Sequence, residues 1–330
     1  MEKRQTGISV IICCYNSAKR IADVLNALAK QEFQSVVPWE ILVIDNASVD
    51  NTAGAARSIW DHEEAGTTLR IIHEPKQGLI YARQKGIEEA SFSYLVFCDD
   101  DNWLFPDYLE TVYELFERDS SIIACGGIGI PVFETSKPVW FDEYAESFAT
   151  GSQEMNREDG KILCLYGAGF SIRANAFDQL KTAQFKPLMH GRLGNKLSSS
   201  EDTELSYALV LMGQKLHFTP QLKFNHYLPK ERLHFSYLKK LYIAFGNDGP
   251  VRNLYYANIT NRYFHRQIRN WNVHFILSLF RLCKYFILPP KKWGRMIYFS
   301  WNKAYVRSLM SLRTKYSDIQ KNIIAIKQIA

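Results

Sequence analysis

The sequence predicts an α/β protein: a doubly wound, mostly parallel sheet of Rossmann-like type, followed by a helical C-terminal appendage. Three observations predict it. Over the first 130 residues short apolar runs alternate with amphipathic helical patterns, the signature of βαβ units. The apolar runs are near-continuous rather than alternating, as expected of strands covered on both faces. Charge then divides the chain. Residues 229–330 hold 19 Lys and Arg against Glu231, Asp248 and Asp318, a net of +16, whereas residues 1–228 hold 21 against 31 acids, a net of −10. Two regions with different partners follow from this, 1–228 and 229–330.

Taken in order, residues 8–15 (I-S-V-I-I-C-C-Y) read as a buried strand. Asn16 or Ser17 is placed to cap a helix whose Ile21, Val24, Leu25 and Leu28 share one face. Residues 39–45 and 69–73 read as the second and third strands, 78–90 as a helix, and 94–98 as the fourth strand. Pro106 suits the first position of the next helix, which ends near Arg118. Residues 122–130 are apolar and glycine-rich, a strand with a close backbone approach. Ser198, Ser199 and Ser200 suit the start of a helix that ends at Gly213, and residues 215–219 read as a further strand.

Open α/β sheets bind ligands beyond the carboxyl ends of their strands. That selects Tyr15-Asn16, Asp45-Asn46 and Asp99 onward, and polar side chains collect at all three. The turn after the first strand is Cys14-Tyr15-Asn16-Ser17-Ala18. It is neither a G-x-G-x-x-G fingerprint nor a P-loop, which argues against a dinucleotide dehydrogenase or a P-loop phosphotransferase. Gly169-Phe170-Ser171-Ile172-Arg173 lacks the second glycine of a hydrolase nucleophile elbow. The six cysteines include no C-x-x-C pair, so buried reduced thiols are expected. The N-terminus lacks the features of a secretory signal, and no 18-residue uncharged apolar stretch occurs.

Asp99, Asp100 and Asp101 leave the fourth strand together. Adjacent carboxylates repel unless a cation intervenes, and hard divalent cations favour one or two carboxylates plus substrate phosphates. A solvated acidic turn capping the next helix is the alternative. The motif has company, in order: Tyr15-Asn16; Asp45-Asn46-Ala47-Ser48-Val49-Asp50-Asn51-Thr52; Gly78-x-x-x-Ala82-Arg83-x-x-Gly86; and the D-x-D element. This ordered set resembles the family 2 glycosyltransferases of the GT-A fold, over about residues 7–228.

The resemblance implies a metal-dependent, inverting transfer of a sugar from a nucleotide-sugar, UDP-sugar favoured, to a saccharide or lipid-linked acceptor, with Mn²⁺ or Mg²⁺ as cofactor. It gives Asp45 to the nucleotide base with Tyr15 beside it, and places Asn16 and Asn46 in the same nucleotide-sugar site. Asp99 and Asp101 become the D-x-D carboxylates at the metal, and Asp100 faces the ribose. Arg83 either meets phosphate or a site acid, or makes a structural helix ion pair. In Glu201-Asp202 the second residue is the expected general base. His226 is either a further metal or diphosphate contact or a structural histidine, and Gly167-Ala168-Gly169 either shapes the donor and acceptor sites or makes a tight turn. A sugar-nucleotide pyrophosphorylase would need a glycine-rich loop after the first strand. A non-catalytic binding scaffold would have lost the metal acids or the base, and both are present.

In the basic region, 19 aromatics lie between Phe235 and Tyr316. Residues 273–288 are strongly apolar, interrupted by Arg281 and Lys284 and followed by Pro289-Pro290-Lys291-Lys292-Trp293. This suits an amphipathic helix on an anionic membrane surface; a buried appendage or an oligomer interface are the alternatives, and oligomeric state is left open. No nucleic-acid module is present. A cytoplasmic protein, peripheral at the inner face of the cell membrane, is expected.

Overall fold

Gln5–Cys14 forms strand β1 because four of its residues, Ile8, Val10, Ile11 and Ile12, have no exposed surface on either face of a central position. The computed structural model describes residues 4–62, 66–189, 200–260, 262, 267–288 and 293–328. They fall into two compact units, described separately. The first comprises Met1–Glu134, Phe148–Asp178 and Lys215–Leu228; the second comprises Thr135–Ser147, Gln179–Gln214 and Pro229–Ala330.

In the first unit β1 is followed in the chain by β2 (Trp39–Asp45), β3 (Thr68–His73), β4 (Phe92–Asp99), the short β5 (Asn102–Leu104) and β6 (Ile122–Phe133). A small hairpin, β7 (Arg157–Glu158) and β8 (Lys161–Ile162), stands apart from the main sheet. β9 (Phe170–Arg173) and β10 (Lys215–Leu228) complete an eight-stranded order of β3-β2-β1-β4-β9-β6-β10-β5. β1 pairs parallel with β2 and β4, β2 with β3, and β6 with β10. Only β9 and β5 run against their neighbours. The expected doubly wound, mostly parallel sheet is therefore present.

Helices α1 (Ile21–Ala29), α2 (Thr52–Trp60), α3 (Leu79–Glu89) and α4 (Tyr108–Arg118) cover it. α1 buries Ile21, Val24, Leu25 and Leu28, each worth about 1.5–3 kcal/mol of burial. Its start differs from expectation: the cap position is Arg20, with no side-chain cap. Asn16 and Ser17 are occupied elsewhere, as described below. α4 likewise begins at Tyr108, two residues beyond Pro106. The close approach expected in the glycine-rich strand is real: a Cβ on Gly127 would run into the backbone carbonyl of Leu222.

The second unit is helical: α5 (Phe141–Tyr144), the end of α6 (Asn175–Thr182), α7 (Glu201–Leu211), α8 (Phe235–Thr260), α9 (Trp271–Ile287), α10 (Gly294–Ser311) and α11 (Tyr316–Gln328). α8 approaches α10 at glycines, since a Cβ on Gly249 would strike the Tyr305 ring. α9 starts at Asn270, whose side chain accepts from the Asn272 and Val273 amides. Buried His274 lies with Nδ1 2.5 Å from the Tyr316 hydroxyl and Nε2 2.5 Å from that of Tyr305. Asn253 donates to Tyr305 Oη at 2.7 Å, and Tyr316 donates to the Ile268 carbonyl. Among the described residues no helix is long and apolar enough to cross a membrane, and all six cysteines are free.

Gly86 in α3 is buried, and a Cβ there would collide with Ile11 of β1. Helix propensity alone would favour Gly86→Ala by about 1 kcal/mol. We expect the opposite sign, a loss of about 1–3 kcal/mol from overpacking, measured by denaturant unfolding. A stabilised variant would show that α3 can lift off β1 without cost.

Candidate active site

Hydrogen-bond register brings the first unit's chemistry to one sheet edge. Cys14 of β1 stands opposite Asp45 of β2, Cys13 opposite Asp99 of β4, and Asp45 opposite His73 of β3. Three parallel strands bounded by apolar neighbours thus end level, and their polar residues emerge together.

The loops behind this edge are tied to one another. Asn16 adopts a left-handed backbone at φ 53°, a conformation asparagine tolerates better than most residues. Its amide donates to Ser48 Oγ at 3.0 Å, and its side-chain oxygen accepts from the Val49 amide at 2.9 Å. The Ser17 amide donates to Thr52 Oγ1 at 2.8 Å, and the Ala18 amide to Asp50 at 3.1 Å. Asn46 is buried and donates to the Glu74 and Lys76 carbonyls at 3.2 and 2.7 Å while accepting from the Gly78 amide at 2.7 Å. Both of its donors are thereby used. Asn46 holds the loop that leads into α3, and Asn16 holds the loop after β2. Asp45 accepts from the Ser48 amide through Oδ1, while Oδ2 lies 3.8 Å from His73 Nδ1. Tyr15 is exposed at the mouth of the edge.

The three consecutive aspartates meet three different partners. Asp99 Oδ1 lies 4.0 Å from Arg83 Nη2, and Arg83 also sits over the Phe97 ring. That ion pair is compatible with both the site contact and the structural pairing expected for Arg83. Asp100 receives the Ser17 hydroxyl and the Arg20 guanidinium, the latter at 2.5 Å. Burial, then the charge of Asp101, pushes the Asp100 carboxyl upward, with Arg20 and Ser17 pulling the other way. Asp101 is buried, accepts from Asn102 Nδ2 at 3.1 Å, and lies 3.6 Å from His226 Nε2. The antiparallel pairing of β10 with β5 places His226 opposite Asn102 and so beside Asp101. Burial raises the Cys13 thiol to about 12 and Cys14 and Cys98 well above their ordinary values, which keeps all three as inert thiols.

Among the described residues no group of three or more His, Cys, Asp or Glu side chains is arranged to hold a metal ion. A cation taken with a diphosphate needs fewer protein ligands, because phosphate oxygens and water complete its shell. Asp99 and Asp101 are all-oxygen donors of the right type, and Asp99 retains about a third of its surface exposed. The donor set fits a divalent cation bound in that manner.

Two contributors went unseen in the sequence. His73 ends β3 beside Asp45 and was available from the same strand-end rule that selected Asp45. Arg20 carried no sequence signal, because only the fold brings it to Asp100.

In the second unit Glu201 and Asp202 open α7. Asp202 Oδ1 accepts from its neighbour's amide, Thr203, at 2.7 Å. Ser200 takes the cap position without a side-chain cap bond; Ser198 and Ser199 lie outside the described residues. Glu204, two residues on, is buried and accepts from the Leu188 and Met189 amides, at 3.0 and 2.7 Å, and from the Tyr255 hydroxyl at 3.0 Å. It anchors the helix that carries Asp202, a role the sequence did not reveal.

Comparison with known proteins identifies a family and a fold. The family description "Glycosyl transferase family 2" matches residues 9–181. A glucosyl-dolichyl phosphate glucuronosyltransferase of Haloferax volcanii is 21% identical over 235 residues, 70% of this chain and 72% of that one. The glycosyltransferase AglE of the same organism is 38% identical over 106 residues, 31% of this chain and 33% of that one. The chain spans about a third of the length of several curated relatives it matches. Residues 1–349 of S. aureus TarS, crystallised with UDP-GlcNAc, give a TM-score of 0.52 at 15% identity, covering 94% of this chain and 92% of that chain. That likeness is one of fold, and the fold is GT-A.

Burial, opposed by its hydrogen bonds, raises Glu204 from 4.5 to about 7. The folded state thus favours the protonated acid. This contribution to stability is complete below about pH 4.5 and is lost as pH climbs through about 7. Glu204→Gln removes the titration, so the fall in thermal stability between pH 5 and pH 8 should flatten relative to wild type, by up to ~3 kcal/mol. Identical pH profiles for the two proteins would mean Glu204 stays ionised throughout.

Proposed function

The chain belongs to glycosyl transferase family 2, and we propose that it is an inverting glycosyltransferase that moves a sugar from a nucleoside-diphosphate sugar to an acceptor hydroxyl. The observation that carries this reading is the level ending of β1, β2 and β4, which sets Tyr15, Asp45 and Asp99 to Asp101 along one edge. A UDP-sugar is the favoured donor, supported by UDP-GlcNAc in the complex of TarS, a protein of like fold.

In this proposal Asp45 takes the base through its Oδ2 side, with Tyr15 against it, and Asp100 faces the ribose. Asp99 and Asp101 would hold Mn²⁺ or Mg²⁺ together with the donor diphosphate, with His226 a further contact beside Asp101. When bound, the cation offsets the charge that builds on the leaving diphosphate. Arg83, paired with Asp99, adds a fixed positive charge to the same region. Asp202 accepts the proton of the acceptor hydroxyl, with Glu201 beside it. The acceptor oxygen forms its bond to the anomeric carbon as the bond to diphosphate breaks, and that electron pair leaves with the diphosphate. A single displacement inverts the anomeric configuration. The acceptor is a saccharide or a lipid-linked saccharide of surface polysaccharide type, reached from the cytoplasmic face of the membrane.

Thermal stabilisation by UDP, GDP and dTDP, each with Mn²⁺ and with chelator, tests the donor site. UDP at about 100 times its Kd should add roughly 2.7 kcal/mol, and chelation or Asp101→Ala should abolish it. No response to any nucleotide would overturn the proposal. Asp202→Ala should lower turnover by about 10²- to 10⁴-fold while leaving UDP stabilisation unchanged. Retention of most activity would move the base to another residue.

A further inference from the structure

Helix α9 is inside out. The residues it buries most deeply in its own unit are polar. There His274 and Ser278 are buried, Ser278 donates to the His274 carbonyl, and Arg281 donates to Asn302 at 2.8 Å while lying over the Trp301 and Tyr305 rings. The side it turns to solvent is apolar. Ile276 is 52% exposed, Phe280 70%, Phe286 59% and Ile287 66%, with Leu279 and Cys283 between them on the same stripe. Amphipathic helices of water-soluble proteins are arranged the other way, apolar stripe inward. Contiguous apolar surface of this kind marks an interaction site.

The stripe runs to an open apolar cleft of about 730 Å³ lined by Phe235, Phe286, Trp293, Arg295, Met296 and Phe299. The Phe286 ring lies tilted against Phe299 at 5.4 Å and Phe235 against Trp293 at 6.1 Å, so the walls are aromatic rings and a thioether. Among the described lining residues, Arg295 carries the charge.

Charge identifies the occupant. Between Asp248 and Asp318 the sequence contains no carboxylate and 13 Lys and Arg, among which Lys284 and Arg295 are exposed beside the stripe and cleft. Two copies of so cationic a unit would repel when brought face to face. An acidic surface with an apolar interior satisfies both halves of the pattern, rings and aliphatics in the acyl region and cations on the headgroups. We propose that the outward face of α9 and the adjoining cleft form a docking surface for an anionic lipid bilayer, with the cleft receiving an acyl chain. The proposal rests on the transferase reading only for its purpose, delivery of the enzyme to a lipid-linked acceptor.

Vesicle binding tests it without turnover, so a failure here is separable from a failure of the donor site. The full chain is floated with vesicles of phosphatidylcholine alone or with about 30% phosphatidylglycerol, alongside Phe280→Gln/Ile287→Gln and Lys284→Gln/Arg295→Gln. All four positions are solvent-facing, and thermal unfolding checks that each variant folds. Wild type should bind anionic vesicles and not neutral ones. The apolar pair should weaken binding at least tenfold, and each lost cation should weaken it about fivefold. Equal binding to both vesicle types, or binding insensitive to the apolar pair, would overturn the proposal. So would a solution dimer, seen by sedimentation, that the apolar pair dissociates, because the face would then be a contact between copies.

Discussion

The parallel hydrogen-bond register joining β1 to β2 and β4 is the constraint from which the rest of the first unit follows. Strands buried on both faces carry a polar side chain only where it is paired, as Ser9 of β1 is with Glu40 of β2 at 2.8 Å, so most polarity is displaced to their ends. Level ends then place Asp45 and the three aspartates within one set of loops. Those loops cannot splay, because the side chains of Asn16, Asn46, Ser48, Asp50 and Thr52 are bonded across them. Much of a motif whose residues look like ligand contacts is therefore a brace for the few that face outward.

The aspartate run shows how neighbours of like charge coexist. Each is turned to a separate partner: Arg83, Arg20 with Ser17, and His226 with Asn102. For Asp100 the desolvation cost outweighs the help of Arg20, whereas Asp99, the most exposed, stands at the wetter end. Position along three residues of backbone thus grades the carboxylates from buried to accessible. It is this gradation, rather than the count of acids, that distinguishes the three carboxylates chemically.

Much of this was legible in the sequence. β1 and β2 were readable because double-sided burial leaves a near-continuous apolar run, and the strand-end rule then pointed to Tyr15, Asp45 and Asp99. β9 was not: four residues carry no readable period, and its insertion between β4 and β6 is a purely tertiary fact. β10 was read too short because Pro220 lies within it. The strand survives by shifting register between Phe218 and Lys223, as prolines at bulges do. The start of α1 was misplaced because Asn16 and Ser17, good caps locally, find longer-range partners. Glu204 is one of three acids in the first turn of its helix, and only the return of the chain at Leu188 and Met189 reveals it as an anchor.

His274 has a consequence for the whole helical unit. Burial lowers its pKa to about 4, so the ring is neutral and carries one proton. Tyr316 sends its only hydroxyl proton to the Ile268 carbonyl, which obliges it to accept from His274 Nδ1. Nε2 must then accept from Tyr305, whose oxygen in turn accepts from Asn253. The protons therefore run one way, from Asn253 through Tyr305, His274 and Tyr316 to Ile268, linking α8, α10, α9 and the start of α11. A chain ordered in this sense polarises itself cooperatively and has a single satisfied tautomer. Reversing any one member would leave a buried donor facing a donor, so the four helices share one hydrogen-bonding state rather than four local ones.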